Sequence, residues 1–205
     1  MHAIEKQNEN SARPLPVLGS GMAGRTRRWL GHAWFVVALS AVLAAKAADP
    51  AFEYKVKAGF LFNFLKFGEW PSNTLASADA PFLVGVLDND PAAPVLRQAL
   101  AGKTVNARKI EVRSLPDPAG ARVCHLLFLS RAQQNSVDEI RQQLKEAPVL
   151  TVGETDQFCQ RGGMINFVRQ DESFRFEINL EAIKRSGLNI SSRLASMATI
   201  VKEVK

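Results

Sequence analysis

The residues best suited to chemistry are few, and their spacing argues against most of it. The chain has three histidines and two cysteines, and His2 and His32 lie within its first 47 residues. His125 stands alone beyond them, inside the apolar run Val123 to Leu129 (Val-Cys-His-Leu-Leu-Phe-Leu). A histidine there is either a general base or a core residue with one hydrogen-bond partner, and its apolar neighbours favour the core role. Cys124 beside it suggests a thiol nucleophile with its base. Adjacent strand residues point to opposite faces, however, so the two side chains do not pair. A metal centre needs several histidine, cysteine or carboxylate ligands at usable spacing. The sequence offers no such set, so neither a metal nor another cofactor is expected.

Acyl and phosphoryl transfer find no better footing. There is no Gly-x-Ser-x-Gly elbow and no glycine-rich phosphate loop. Gly162-Gly163 predicts a tight turn into the next strand, with a ligand cradle as the alternative. Ser191-Ser192-Arg193 opens a predicted helix. The free N–H groups and positive dipole end of a helix make an anion seat, which Arg193 would strengthen. The competing reading is that one of the serines caps the helix. These residues suit binding rather than catalysis.

The elements that must position them follow from periodicity. Glu53 to Trp70 predicts a helix whose polar residues Lys55, Gly59, Asn63 and Lys66 form one narrow stripe. Pro71 ends it. The wide apolar remainder must be covered, either by the protein's own sheet or in part by a partner chain. Phe82 to Leu87 and Val123 to Leu129 are continuous apolar runs, hence buried strands. Lys109 to Arg113 alternates as a strand with Ile110 and Val112 inward, and Val149 to Val152 is a short strand. Helices are predicted over Pro94 to Leu100, closed by Gly102, and from Ser136 through Glu146, where Ser136 and Glu139 form a capping box. A helical turn is predicted over Thr155 to Gln160. Met164 to Val168 and Ser173 to Ile178 form a hairpin about Gln170-Asp171. Helices over Leu180 to Ser186 and Ser191 to Val201 complete the chain. Buried strands alternating with helices predict a single three-layer α/β/α domain with a mixed, largely parallel sheet and a C-terminal antiparallel hairpin.

The first 47 residues read as a leader. Arg25, Arg27 and Arg28 precede an apolar run from Trp29 to Ala45, and Ala45-Lys46-Ala47 supplies a small-x-small cleavage site. Cleavage after Ala47 makes residues 48–205 the mature periplasmic domain, and Met22 is the expected true start. If uncleaved, residues 29–45 would anchor the chain in the membrane. The leader holds 6 Lys+Arg against 2 Asp+Glu, and the remainder 20 against 18. The near-neutral body gives no electrostatic reason to expect nucleic-acid binding.

Three segments carry a resemblance. Glu53-Tyr54-Lys55-Val56-Lys57-Ala58-Gly59-Phe60-Leu61-Phe62-Asn63-Phe64-Leu65-Lys66-Phe67-Gly68-Glu69-Trp70-Pro71 resembles the opening helix of the YfiR-like family. Cys124-His125-Leu126-Leu127-Phe128, Leu150-Thr151-Val152-Gly153-Glu154 and Gly162-Gly163-Met164-Ile165-Asn166-Phe167 resemble its middle. Phe174-Arg175-Phe176-Glu177-Ile178-Asn179-Leu180 and Gly187-Leu188-Asn189-Ile190-Ser191-Ser192-Arg193-Leu194 resemble its end. The resemblance implies a non-catalytic periplasmic inhibitor that binds the sensor domain of an inner-membrane diguanylate cyclase and lowers cyclic di-GMP. It also implies sequestration by an outer-membrane lipoprotein, a role in biofilm control and a homodimer. On that reading Phe60, Phe64, Phe67 and Trp70 are the partner-binding candidates. The alternative is a periplasmic binding protein for an anionic solute, seated at Ser191, Ser192 and Arg193. Relatives that this chain resembles are richer in cysteine and use disulfides. Here Cys124 begins one buried strand and Cys159 follows the far end of its neighbour, which separates them unless the intervening turn brings Cys159 back.

Overall fold

The computed structural model describes residues 50–204 apart from 76, 78 and 172. The leader, its cleavage site, the Met22 start and the anchor alternative all lie outside the described residues. Asp49–Lys205 forms one compact unit.

Helix α1 (Pro50–Phe67) comes first, followed by the two-residue strand β1 (Gly68–Glu69). Strand β2 (Phe82–Leu87), helix α2 (Ala92–Leu100), and strands β3 (Thr104–Val105) and β4 (Arg108–Leu115) come next. After a 3-10 turn at Pro118–Val123, β5 (Leu126–Leu129) leads through a second 3-10 turn to α3 (Val137–Leu144) and β6 (Leu150–Gly153). The hairpin of β7 (Ile165–Gln170) and β8 (Ser173–Ile178) precedes α4 (Leu180–Arg185) and β9 (Asn189–Ile190). Helix α5 (Ser192–Ala195) and β10 (Thr199–Ile200) end the order.

The main sheet runs β10-β8-β7-β6-β5-β2-β4-β3. β4, β2, β5, β6 and β7 are parallel neighbours, and β7 pairs antiparallel with β8 from Ile165↔Ile178 to Gln170↔Ser173. A separate pair joins β1 to β9 antiparallel. One core packs α1 and α2 on the first face of the sheet, through Leu61, Phe64, Leu65, Leu96 and Leu100. The other packs α3 and the first 3-10 turn on the opposite face, through Val137, Ile140, Leu144 and Ala121. The three-layer, mostly parallel α/β architecture with its late hairpin is the one the sequence predicts.

Several boundaries differ, each for a local reason. α1 stops at Phe67, before the predicted Trp70. Gly68 leaves the helix to pair with Ile190, and it sits so close that a Cβ there would come within 2.8 Å of the Phe64 carbonyl oxygen. The capping box at Ser136 does not form: Ser136 makes no side-chain cap, and Glu139 instead accepts from Gln143 Nε2 at 3.0 Å. Ser130 starts the preceding 3-10 turn, accepting from the Ala132 N–H. The helix predicted over Ser191 to Val201 is one turn long, Ser192–Ala195. The β-branched Thr199-Ile200 then pairs parallel with β8 as an edge strand, a conformation such residues favour.

Candidate functional site

The stripe Lys55, Gly59, Asn63 and Lys66 faces solvent, and the opposite face of α1 lies on the sheet. The four aromatic candidates divide accordingly. Phe64 is fully buried, its ring centroid 5.2 Å from Phe176 and 5.8 Å from Phe167. Phe60 is partly buried on the same cluster, 5.7 Å from Phe167 and 6.0 Å from Phe176. Those two rings belong to the protein's own core, because β7 and β8 present their aromatic residues to the helix. Phe67 and Trp70 sit where α1 ends, and like Phe60 both are partly exposed while packing against the core. Trp70 Nε1 donates to the His125 carbonyl oxygen at 3.1 Å, and its ring stands 5.4 Å from Phe82.

This corner also receives the second candidate set. The β1–β9 pairing and the Ser191 N–H, which donates to the Phe67 carbonyl oxygen at 2.9 Å, bring the start of α5 onto the end of α1. The Arg193 guanidinium lies 5.7 Å from the Phe67 ring centroid, within cation–π range. Ser191 Oγ accepts from the Leu194 N–H at 3.3 Å and is the N-cap. Ser192 and Arg193 are exposed. The structure therefore brings Arg193 onto Phe67, with Trp70 packed separately on Phe82 and His125, and leaves Ser191 as a cap rather than an anion ligand.

His125 lies beneath that corner. Its Nδ1 accepts from the Leu83 N–H at 3.0 Å, and Phe82 and Trp70 flank the ring at 5.2 and 6.3 Å. Burial holds its pKa below the ordinary 6.5, with a backbone contact to Thr74 opposing and the Arg108 charge adding to the fall. It is a neutral structural histidine that fixes the start of β5 beside β2. The two cysteines are free and buried, so the Cys124–Cys159 bridge is not formed. Cys124 sits at the N-terminal end of β5, and Cys159 lies beyond the C-terminal end of β6, its Sγ 3.7 Å from the Glu177 carbonyl oxygen. Burial raises both thiol pKa values, which suppresses nucleophilicity.

A cluster that sequence reasoning missed occupies the C-terminal edge of the parallel strands. Lys57, on the apolar face of α1, is fully buried and pairs with Glu154, at the end of β6, and with Glu53 one turn back. Glu154 also accepts from the Arg131 N–H at 3.0 Å and from the Tyr54 hydroxyl at 3.4 Å. Burial, then the charge of Glu154, pushes the Tyr54 pKa up strongly, so it stays a neutral donor. Lys57 Nζ lies 5.2 Å from the Tyr54 ring and 5.1 Å from the Phe174 ring. Beside it, buried Ser130 donates to Asp90, which also accepts from the Ala92 N–H at 2.9 Å. Asp90 follows β2 and Ser130 follows β5, the adjacent strands whose next helices, α2 and α3, go to opposite faces. That reversal is where doubly wound sheets place ligand crevices. Here the polar groups engage one another instead, locking α1 across the strand ends. The available signal was Lys57 itself, a cation four residues before Leu61 on an otherwise apolar face. Among the described residues no group of three or more His, Cys, Asp or Glu is arranged to hold a metal, and no helix is long and apolar enough to cross a membrane.

Comparison with known proteins adds two findings. The profile of the YfiR/HmsC-like family, a domain of unknown function, matches residues 54–199. The structure is also similar to one from Vibrio cholerae O1 biovar El Tor strain N16961, described as a conserved domain protein. The two share 13% identity over 58% of this chain and 54% of that one, with a TM-score of 0.46. The chain thus spans about half the length of that relative.

Proposed function

Because the chain belongs to the YfiR/HmsC-like family, we propose that it binds the periplasmic sensor domain of an inner-membrane diguanylate cyclase and represses cyclic di-GMP synthesis without catalysing a reaction itself. The family is periplasmic and regulatory and is not a known enzyme family. The observation that carries the reading is the extent of the match, which begins at Tyr54 on α1 and ends at Thr199 on β10. Supporting it are the partly exposed Phe67 and Trp70 at the end of α1 and the exposed Arg193 over Phe67, the residue types enriched at protein interfaces. On this reading the first 47 residues are an export signal cleaved after Ala47. A homodimer contacts the cyclase, and an outer-membrane lipoprotein relieves the repression by sequestering it.

The test is deletion of the gene, measurement of cellular cyclic di-GMP, and complementation with the full chain or with one lacking the residues before Ala48. The expected result is a rise on deletion that only the exported form reverses. Unchanged cyclic di-GMP across several growth conditions would sink the proposal. The rival, an anionic-solute receptor seated at Ser191, Ser192 and Arg193, is weaker because Ser191 Oγ is engaged in capping.

A further inference from the structure

On the face of the sheet opposite α1, a cavity of about 250 Å³ opens between α3, the β6–β7 connection and the end of α4. Its floor is aliphatic, with Leu129, Val137, Ile140, Leu144 and Met164 beside the Phe158 ring. Its charged lining is Arg141, Lys145, Glu146 and Arg185. The two guanidiniums converge on a single carboxylate from the chain's own C-terminal tail. Arg141 Nη1 lies 3.5 Å from Glu203 Oε1, and Arg185 Nη2 lies 2.5 Å from Glu203 Oε2. The tail is held by few bonds: the Val201 N–H donates to the Ile178 carbonyl oxygen at 2.9 Å, and the Val204 N–H to the Gln160 carbonyl oxygen at 3.0 Å.

Gly162 completes the arrangement. It has φ +92°, and a Cβ there would lie 2.8 Å from Arg141 Cδ and 3.2 Å from Glu203 Oε1. A side chain at this position would push apart the arginine and the carboxylate. The glycine pair at 162 and 163 thus admits Arg141 at its first member, while the second admits the Phe158 ring, which a Cβ would approach to 2.2 Å.

We propose that this cavity binds a small aliphatic carboxylate, its chain against the Leu129–Ile140–Met164 floor and its headgroup taking Arg141 and Arg185 over from Glu203, which lies in an adjoining groove with Val204. Two arginines facing one carboxylate make a charge-selective anion site, although both are about half exposed and each pairing is correspondingly weak. The aliphatic floor selects an apolar tail. A cavity of about 250 Å³ lies just below the usual range for ligand pockets and so suits a ligand of short chain rather than a nucleotide or a membrane lipid. Glu203 is an intramolecular competitor, and ligand entry releases the tail that follows β10. The inference is independent of the cyclase reading, since it requires neither a partner nor the α1 corner.

The probe is hexanoate, with hexanamide and inorganic phosphate as controls, titrated against the protein as the cell processes it. Hexanoate is expected to raise the melting temperature by about 3–5 °C at about ten times its Kd, and to go on raising it with the logarithm of concentration. Glu203→Gln is expected to tighten the apparent Kd about fivefold, the upper end for releasing an exposed ion pair. The double variant Arg141→Gln/Arg185→Gln is expected to abolish the shift. Methyl NMR of the unaltered protein supplies a readout that depends on no variant: resonances of Ile140, Leu144 and Met164 move with hexanoate if the cavity fills. The proposal is overturned if those methyls stay still, if neither the unaltered protein nor Glu203→Gln is stabilised, or if hexanamide or phosphate matches hexanoate.

Discussion

Replacing Lys57 with methionine should be among the most damaging single changes to the body of this protein, and its cost can be worked from the buried cluster. The Lys57 side chain is 0% exposed, and its partner Glu154 is 3% exposed. Methionine keeps most of the lysine's apolar stem, so the loss of packing is small. Glu154 is left as a buried carboxylate with the Arg131 N–H and the Tyr54 hydroxyl, and without a countercharge. Removing one member of a buried ion pair costs about 3–5 kcal/mol. Total stabilities are about 5–15 kcal/mol, so Lys57→Met removes a large share. With a urea m-value of about 2 kcal/mol/M, the midpoint falls by about 2 M. Glu53, the other carboxylate on Lys57, is 24% exposed and can regain water, so Glu53→Gln should cost about 1 kcal/mol or less. Glu154→Met alone strands the buried ammonium and costs a similar amount to Lys57→Met. The double variant should cost much less than the sum of the singles, with a coupling of about 2 kcal/mol or more. Urea unfolding of the unaltered protein and the four variants, followed by far-ultraviolet circular dichroism, measures all of these. A Lys57→Met cost below about 1 kcal/mol, or strictly additive singles, would refute the reasoning.

Other expectations come from single sites. Phe67→Asp with Arg193→Glu should abolish binding to the cyclase sensor domain in a pull-down while leaving the melting temperature within about 3 °C, whereas Phe64→Asp should prevent folding, because it places a charge among Phe167 and Phe176; partner binding that survives the corner substitutions counts against that interface. The pKa of His125 is lower in the folded state than the ordinary 6.5, so the unfolded chain binds the proton more readily, and stability present above pH 6.5 declines as pH falls below it. His125→Gln should flatten that part of the stability–pH curve measured by chemical denaturation, and an unchanged slope would contradict the assignment. Neither cysteine should react with a thiol reagent in the native protein, and both should react once it is unfolded without reductant, since both are buried and free; a failure to gain two thiols on unfolding would indicate a bridge. Ser191→Ala should lower stability by about 1 kcal/mol through loss of the α5 cap, read by thermal melts.

The sequence by itself determined the layers of this protein. Short continuous apolar runs at Phe82–Leu87 and around Leu126–Leu129, bounded by turn residues, point to strands buried on both faces, and the alternation of Phe174, Phe176 and Ile178 points to a half-covered hairpin, because periodicity reports which sides of an element leave water. It also carried the family resemblance, since that depends on residue order alone. What covers each face is a different kind of fact. The α1 stripe announced an apolar surface, yet only the tertiary structure decided that Phe64 meets Phe176 while Phe67 and Trp70 stay at the edge, because that depends on where α1 lies across the sheet. The burial of Lys57 was decided the same way: its partner Glu154 lies 97 residues away, and nothing local brings them together. The pairing of Arg141 and Arg185 with Glu203 is of this kind too. It joins a helix after β5, a helix after β8 and the chain's last residues, and only the closing of the sheet, with β10 laid against β8, places them within reach of one another.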